Sequence, residues 1–548
     1  MFRLKSLVIA RIVGLVVAAV LLSVASHKVL AQKVSQMAQA DAIQTAISTI
    51  LNAPERLPFH LQRVRKSLTA HYIDNAAPPY WINNPGHVSQ FVQRMVLADD
   101  DGLKPTDYPA DYLINLRSSV DSGDPLAVAY TELTFSSFFI RYASDVKTGR
   151  FVPQKIDPDL FQPKRNINQV ALLTAMQKAK SPVNLLDRYN PHNRHYRALK
   201  PLLTRYRAIV EQGGWQKIPF GPTLKPGMSD ERIPMIRARL EKSGDLAPRP
   251  SPTPQMYSPD LAAAVQSYQR RVGLNDEGII GKLSLIQMNI SARERLRQIV
   301  VNMERWRWMP ENMGINHIMV NIAAFELYRI KKNRLVETVN VVVGKEYHQT
   351  PVFSDKMEYV VLNPTWTVPF SIATKEILPK LQKDPSYLKD DFEILQNGSP
   401  VSPWSIDWSQ YSTKNFPYTF RQRPGPKNAL GQVKFMLPNK HAIYLHDTPS
   451  KSLFRHNKRA FSHGCVRVHK PLAFADTILS AKPGWSPKRI RKVLDSRELT
   501  QVNLPDHLPV HIVYATVWAG KNGTINFRPD VYGRDKKLYR ALFAKPTS

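Results

Sequence analysis

The chain has 548 residues, which is too long for one hydrophobic core and predicts three or more domains. Apolar residues make up 43% and charged residues 22%, as in a folded soluble protein and not in a disordered one. Lys and Arg outnumber Asp and Glu by 76 to 44, so the formal charge of +32 predicts an anionic polymer or lipid headgroups as partners. No nucleic-acid-binding motif or dense basic block accompanies this charge, which argues against nucleic acid.

The first residues predict an export segment. Basic residues at positions 3, 5 and 11 accompany an uncharged run over 12–26, and Val29–Ala31 suits a cleavage site. Residues 1–31 are therefore predicted to be either a cleaved signal peptide or a retained signal anchor, and the sequence leaves both open. Because the chain has a single cysteine, an exported protein would carry a free thiol, which usually has a chemical reason to be there.

Residues 32–245 are predicted to form a mostly helical scaffold. The segment 59–68 mixes apolar and basic residues at helical spacing, and Leu133–Val146 is predicted to be an amphipathic helix that ends at Gly149. No chemically active residues cluster in this region, so a structural or accessory role is expected.

A proline-rich linker and a small helical module come next. Five prolines fall between Asp245 and Pro259, which predicts an extended linker over 246–259. An amphipathic helix ended by Gly273, a tight turn and a second helix form a compact module over 260–292. A helical hairpin that serves only for packing is the alternative to a binding function.

From Ile315 the residue pattern changes to the alternation of β-strands. The region 293–548 is therefore predicted to be a β-rich domain with peripheral helices, which makes the whole chain a multidomain α+β protein. Its segment 375–428 is polar and aromatic without a clear core strand, and is predicted to be a capping subdomain inserted over a cleft. Strands are predicted over 317–322, 325–328, 336–343, 358–362, 433–436, 442–445 and 510–517, and helices over 374–382 and 472–479.

The single cysteine lies in a sequence suited to nucleophilic catalysis. Cys465 follows Ser462, His463 and Gly464, and His446 lies 19 positions upstream. A thiolate is the reactive form, and a nearby imidazole lowers the thiol pKa and accepts its proton. A glycine beside the thiol lets a substrate carbonyl approach and lets backbone amides point at an oxyanion. The alternative is a buried structural cysteine beside two ordinary histidines.

These residues resemble the signature of L,D-transpeptidases with a YkuD-type catalytic domain. Residues 444–448 (YLHDT) and 462–467 (SHGCVR) match it, with 15 residues between His446 and Ser462. Further similarity to the large YcbB-type murein L,D-transpeptidases covers nearly the whole chain after residue 31, and the module over 260–292 resembles a peptidoglycan-binding domain. The resemblance implies a β-sandwich catalytic domain in which the cysteine and histidine face one cleft.

The resemblance also implies roles for single residues. Cys465 would be the nucleophile and His446 its general base, with His463 as the competing base. The amides of Gly464 and Cys465 would donate to the oxyanion. The further site candidates, as substrate-binding residues, are Arg467, Tyr444, Asn363, Trp366, Ser462 and Asp447. The alternatives are packing within the β-rich core for Tyr444, Asn363 and Trp366, a loop-stabilising ion pair for Arg467, and a structural role in the loop for Ser462. Whether Asp447 or a backbone carbonyl orients the imidazole is open, and neither a metal nor another cofactor is expected.

The implied reaction is a murein L,D-transpeptidation in the periplasm. Cys465 would form a thioester with a tetrapeptide donor stem and release its terminal D-alanine, and an amine of a second stem would close a 3→3 cross-link. Water or a protein amine as acceptor would give an L,D-carboxypeptidase or a protein-attaching enzyme, and a non-catalytic wall-binding protein is the different class. The expected partners are peptidoglycan stem peptides and glycan, the inner membrane if the anchor is retained, and other cell-wall synthesis proteins. A carbapenem is expected to acylate the thiol.

Overall fold

The computed structural model describes residues 37–388 and 391–544, so the predicted export segment 1–31 lies outside the described residues. The chain divides into two compact units, one of residues 37–150 and 165–190 and one of residues 151–164 and 191–544 in their described parts. In the described ranges, no helix combines the length and the apolar character that crossing a bilayer requires.

Helices make up most of the first unit and surround the β-structure of the second. They are α1 (37–51), α2 (Phe59–Gln62), α3 (Arg65–Thr69), α4 (Pro85–Val96), α5 (Ala110–Ser118), α6 (Pro125–Thr148), α7 (Pro153–Ile156), α8 (Gln169–Gln177), α9 (Pro182–Arg188), α10 (Arg194–Glu211), α11 (Ile233–Ser243), α12 (Pro259–Val272), α13 (Lys282–Met288), α14 (Ala292–Trp308), α15 (Phe370–Ile372), α16 (Leu378–Leu381), α17 (Pro471–Leu479), α18 (Pro487–Ser496) and α19 (Arg534–Phe543).

The strands all lie in the second unit. They are β1 (His317–Asn321), β2 (Glu326–Lys331), β3 (Arg334–Gly344), β4 (Phe353–Leu362), β5 (Trp366–Thr367), β6 (Phe392–Gln396), β7 (Ser399–Val401), β8 (Tyr418–Gln422), β9 (Val433–Met436), β10 (Leu445–His446), β11 (Ala460–Ser462), β12 (Val466–Val468), β13 (Thr500–Val513), β14 (Val517–Ala519) and β15 (Ile525–Phe527).

The first unit is built around α6. This helix was expected to be amphipathic, but every side chain from Thr131 to Ile140 is buried, so it is the central helix of its core. Its polar residues are satisfied internally. The carboxylate of Glu132 accepts the Tyr72 hydroxyl and the backbone amides of residues 80–82, and burial raises the pKa of that carboxyl.

A small helical core in the second unit differs from the predicted domain boundaries. It joins α12 and α13 with α11, which supplies Ile233, Ile236 and Leu240 although it precedes the boundary predicted at residue 245. The end of the predicted linker belongs to the same core, because Tyr257 is buried and donates to Gly278 O at 2.6 Å. Two helices of 14 and 7 residues bury too little apolar surface alone, and the third helix supplies the rest.

The main sheet is a closed barrel, which corrects the expected β-sandwich. Within the described residues the order is β11-β3-β12-β10-β9-β4-β13-β1-β2, and β2 also pairs with β3. The cause is the length of β3, whose residues 334–340 pair with β2 while residues 341–344 pair with β12 and β11. One strand thereby joins both ends of the sheet and removes its open edges.

A second, smaller sheet forms its own subdomain. Its order is β5-β8-β6-β7, and it encloses a separate apolar core that includes Leu381, Trp408 and Phe420. This subdomain overlaps the predicted capping insertion over 375–428 and starts earlier, because Trp366 of β5 already packs against its core.

Candidate active site

Three neighbouring strands place five functional side chains on one face of the barrel wall. In the ladder of β9, β10 and β12, His446 is opposite Lys434 on one side and Arg467 on the other. Side chains alternate along a strand, so Tyr444 and Cys465, two residues before His446 and Arg467, share that face. The intervening Leu445, Val466 and Phe435 are fully buried in the core on the opposite face. We call Lys434, Tyr444, His446, Cys465 and Arg467 the catalytic face.

The Cys465 thiol is the centre of this face. Its Sγ lies 3.7 Å from Ala442 O, and burial raises the thiol pKa above its usual value. Hydrogen bonds from the backbone and the hydroxyl of Tyr444, and the charges of Lys434 and Arg467, act in the opposite direction and favour the thiolate. The surroundings therefore supply four features that stabilise negative charge at sulfur.

The His446 imidazole is neutral at physiological pH. It is buried on the strand β10, and burial together with the positive charge of Arg467 lowers its pKa to about 3. Its Nδ1 atom has no hydrogen-bond partner among the described residues. A neutral imidazole with a free ring nitrogen can accept a proton, as a general base requires. The thiol itself is directed at the Ala442 carbonyl.

Lys434 is a member of the face that sequence analysis missed. Its Nζ lies 3.9 Å from the centroid of the Tyr444 ring, and it forms no ion pair with a carboxylate among the described residues. Burial lowers its pKa, and the proximity of Cys465 raises it. Alternation with the apolar Val433 and Phe435 showed that Lys434 faces away from the core, but the sequence did not reveal which strand lies beside it.

Arg467 is the second cation of the face without an acidic partner. Its Nε is buried and without a hydrogen bond in the described chain, and burial lowers its pKa while Cys465 opposes that shift. Two half-buried cations without a carboxylate form a site for an anion, either the thiolate or a carboxylate of a substrate.

The turn before Cys465 is held by Ser462. Its hydroxyl donates to Cys465 O at 2.6 Å and accepts the Gly464 amide at 3.1 Å. Gly464 adopts φ +121, which side-chain-bearing residues rarely adopt, and its carbonyl accepts the Thr350 hydroxyl at 2.7 Å. The Gly464 amide, one of the two predicted oxyanion donors, is therefore already bonded. The Tyr444 backbone amide, which is directed at Sγ, is an additional donor at this position.

His463 is directed away from the thiol. Its Nε2 lies 2.7 Å from Glu376 Oε1, on the helical segment of the capping subdomain, and its ring lies 5.1 Å from that of His348. The structure thus assigns His463 a carboxylate partner and leaves His446 as the histidine on the catalytic face.

The Asp447 carboxylate has partners other than the imidazole of His446. It accepts the backbone amides of Gln432 at 2.9 Å and Thr448 at 2.6 Å, and pairs with Lys451. These contacts fix the chain on both sides of His446, so the carboxylate positions the strand. The backbone of Asp447 interacts with the His446 ring and raises the pKa of that ring against the effect of burial.

The side chains of the two candidate residues in the 363–366 segment contact groups outside the catalytic face. Asn363 has φ +49 and donates through Nδ2 to Val493 O at 2.8 Å and to Leu494 O at 3.3 Å at the end of α18. Trp366 packs in the capping subdomain, 6.5 Å from the ring of Phe392. Both contacts are structural, and a structural role was the alternative to substrate binding at these two positions.

Comparison with known proteins identifies two regions of the chain. Residues 315–494 match the family model for the YkuD L,D-transpeptidase catalytic domain, and residues 66–203 match the model for the Scaffold domain. A Haemophilus influenzae protein provisionally named an L,D-transpeptidase is 39% identical over 244 residues, which are 44% of this chain and 49% of that protein. The chain therefore matches about half the length of this curated relative.

Solved L,D-transpeptidase structures are also similar. One from Xylanimonas cellulosilytica is 12% identical with a TM-score of 0.17, covering 54% of this chain and 99% of that one. One from Stackebrandtia nassauensis is 13% identical with a TM-score of 0.22, covering 54% and 96%. Both TM-scores are below 0.5, so the barrel is described from its own strand pairing and not from these structures.

Proposed function

We propose that this chain, whose residues 315–494 match the YkuD L,D-transpeptidase catalytic domain, is a peptidoglycan transpeptidase that works through a Cys465 thioester. The observation that supports this most directly is the catalytic face. It combines one thiol, one neutral imidazole and two cations on three adjacent strands, and neither cation pairs with an acid among residues 37–388 and 391–544. A structural cysteine would need none of these neighbours.

The first half-reaction is acyl transfer to the enzyme. Cys465 gives its proton to His446, and the thiolate attacks the carbonyl of the third stem-peptide residue. The bond to the terminal D-alanine breaks, and His446 returns the proton to the leaving amine. The backbone amides of Cys465 and Tyr444 would stabilise the oxyanion, and Arg467 or Lys434 would bind a stem carboxylate.

The second half-reaction releases the acyl group. An amine of a second stem attacks the thioester carbonyl, and His446 accepts the proton of that amine. The Cys465 thiolate then leaves and takes the proton back from His446. The product is a 3→3 cross-link. The catalytic face is compatible with water or a protein amine as acceptor, so the identity of the products decides between transpeptidase, carboxypeptidase and protein attachment.

The proposal includes a location in the periplasm. It is supported by the basic and apolar sequence of residues 1–31 and by the position of peptidoglycan outside the cytoplasm. A retained segment would anchor the enzyme in the inner membrane.

The test uses protein that lacks residues 1–31, as wild type and as Cys465→Ala, incubated with disaccharide-tetrapeptide. Intact protein mass and soluble products are followed together. An adduct on the wild type only, with D-alanine and cross-linked dimer, is the expected result. Tripeptide without dimer would make the enzyme a carboxypeptidase, and products formed equally by Cys465→Ala would refute the thioester.

A further inference from the structure

A large groove lies in the second unit, separate from the catalytic face. It has a volume of 1680 Å³ and runs between the small helical core, the β2–β3 side of the barrel and the segment 518–533. None of the five residues of the catalytic face lines it. Pockets for single small ligands are typically about 300–1,000 Å³, so this space suits a segment of a polymer.

The groove is positively charged. Seven Lys and Arg side chains line it against four carboxylates, a surplus of three positive charges. Some of these pair locally: Lys458 binds Glu346 at 2.6 Å, and Arg270 binds Asp276 at 2.7 Å. Arg194, Arg197 and Lys521 form no ion pair within the described chain, so three cations at the groove are available to an anion.

One cation in the wall of the groove is buried and hydrogen-bonded only to neutral groups. Arg459 is 9% exposed, and its guanidinium donates to the carbonyls of Phe325, Val341 and His456 and to the Asn340 side chain. Its charge adds to the attraction for an anion, although the nearby carboxylate of Glu326 offsets part of it.

The opposite wall is apolar and exposed. Leu283 and Ile286 lie three residues apart on α13, so they share one face of that helix, and they are 55% and 40% exposed. Cations beside an exposed aliphatic strip suit a ligand with carboxylates and with apolar ring faces, such as a carboxylated oligosaccharide.

The groove extends to the wall of the catalytic turn. Gln349 lines the groove, and its carbonyl oxygen lies 3.8 Å from the position that a Cβ would take on Gly464. Gln349 Oε1 is itself buried without a hydrogen-bond partner among the described residues. A polymer bound along the groove would thus reach Gly464, the residue that precedes Cys465.

We propose that this groove, hereafter the basic groove, binds a carboxylate-bearing oligosaccharide strand at a second site. This inference rests on the proposed function, because the strand would belong to the polymer whose stem peptides react at Cys465. The site would hold the polymer by Arg194, Arg197 and Lys521 while the catalytic face processes one stem.

The test compares two variants with equal loss of charge. One is Arg194→Gln/Arg197→Gln/Lys521→Gln in the basic groove, and the other is Lys488→Gln/Arg491→Gln/Lys492→Gln on the exposed surface of α18. Both are made in Cys465→Ala protein. Binding of a labelled glycan tetrasaccharide with tetrapeptide stems is measured by fluorescence anisotropy, with an amidated form of the same probe and with an oligogalacturonate.

We expect the groove variant to bind the stem-bearing probe at least tenfold more weakly, the α18 variant to stay within twofold of the parent, and amidation to weaken binding to the parent. If oligogalacturonate also binds more weakly to the groove variant than to the parent, the groove recognises carboxylated sugars in general. If oligogalacturonate binds the parent only weakly, the groove recognises the carboxylates of the stem peptides. Equal losses in both variants, or no loss in the groove variant, would overturn the proposal.

Two further measurements distinguish ligand binding in the basic groove from acylation at Cys465. The double variant Arg197→Gln/Lys521→Gln removes side chains without hydrogen bonds in the described residues, and it should still lose at least threefold in affinity if the groove variant folds. Carbapenem acylation of the same groove variants with Cys465 intact should stay within twofold of the wild type. Failure of acylation in the wild type would refute the proposed function and leave the binding result unaffected.

Discussion

At the scale of single residues, the site depends on a balance between burial and charge at Cys465. Burial alone raises the pKa of the thiol, and Lys434, Arg467 and Tyr444 counteract it. A thiol without these neighbours would be a poor nucleophile at neutral pH, since the thiolate is the reactive form. Lys434 and Arg467 form no ion pair with a carboxylate in the part of the chain that the structure describes, so their charge acts on the sulfur or on a substrate.

Replacing Lys434 by methionine tests this balance. Lys434→Met keeps most of the apolar stem and removes the charge, so the pKa of Cys465 should rise and less thiolate should be present at neutral pH. We expect acylation at pH 7 to slow about tenfold, which corresponds to ~1.4 kcal/mol, and its pH–rate curve to move to higher pH. Lys440→Met, which removes an exposed lysine after β9, is the matched control. An unchanged pH–rate curve would contradict the role of Lys434.

The two histidines should differ in their effect on acylation. His446→Ala removes the proposed general base and should slow acylation at least a hundredfold, whereas His463→Ala removes the contact with Glu376 and should stay within tenfold. Because the pKa of His446 is about 3, the imidazole stays neutral on acidification to about pH 4. Loss of activity with a midpoint near 6.5, the ordinary histidine value, would contradict this environment, as would normal acylation by His446→Ala.

The lowered pKa of His446 also makes the free energy of unfolding depend on pH. The folded-state pKa of His446 lies below its unfolded value, so the unfolded chain binds the proton more readily. Stability from the neutral imidazole is complete above the unfolded pKa and is lost as the pH falls from about 6.5 toward 3.

At the scale of elements, the loop after β4 is fixed by one side chain. Asn363 bonds to the end of α18 and adopts a left-handed backbone conformation that asparagine tolerates better than alanine. Asn363→Ala should lower the free energy of unfolding by about 2–3 kcal/mol, measured by urea denaturation, without slowing acylation of the folded protein. Asn397→Ala is the control, because Asn397 has φ +51 but is exposed. A large loss of acylation with full stability would instead support the predicted cleft-lining role.

Elements also show how far sequence reasoning extends. Cys465, His463 and Ser462 are adjacent in the sequence, so they could be recognised together, and most strands near the site were predicted within a few residues. The closed barrel was not predicted, because closure depends on β3 pairing with β2 along one part and with β12 along another. Lys434 was missed for a similar reason, since strand register is a long-range property that local alternation does not contain.

At the scale of the whole molecule, a small part of the +32 charge lies at two sites. The catalytic face and the basic groove both have cations without carboxylate partners in the described residues, although many other arginines pair with acids, as Arg232 does with Asp230. Unpaired cations around two separate sites in one unit suit a polyanionic substrate that is bound at one place and processed at another.

Because the chain of 548 residues has a single cysteine, any acylation of a thiol can be assigned to Cys465 from the mass of the intact protein. A carbapenem presents a strained carbonyl to the thiolate, and opening its ring leaves all its atoms on the protein. Intact mass should therefore increase by one whole inhibitor molecule in the wild type and not in Cys465→Ala. His446→Ala should form the same adduct more slowly, because only the proton acceptor is missing. An unchanged wild-type mass, or an adduct on Cys465→Ala, would show that the catalytic face does not act as a nucleophilic site.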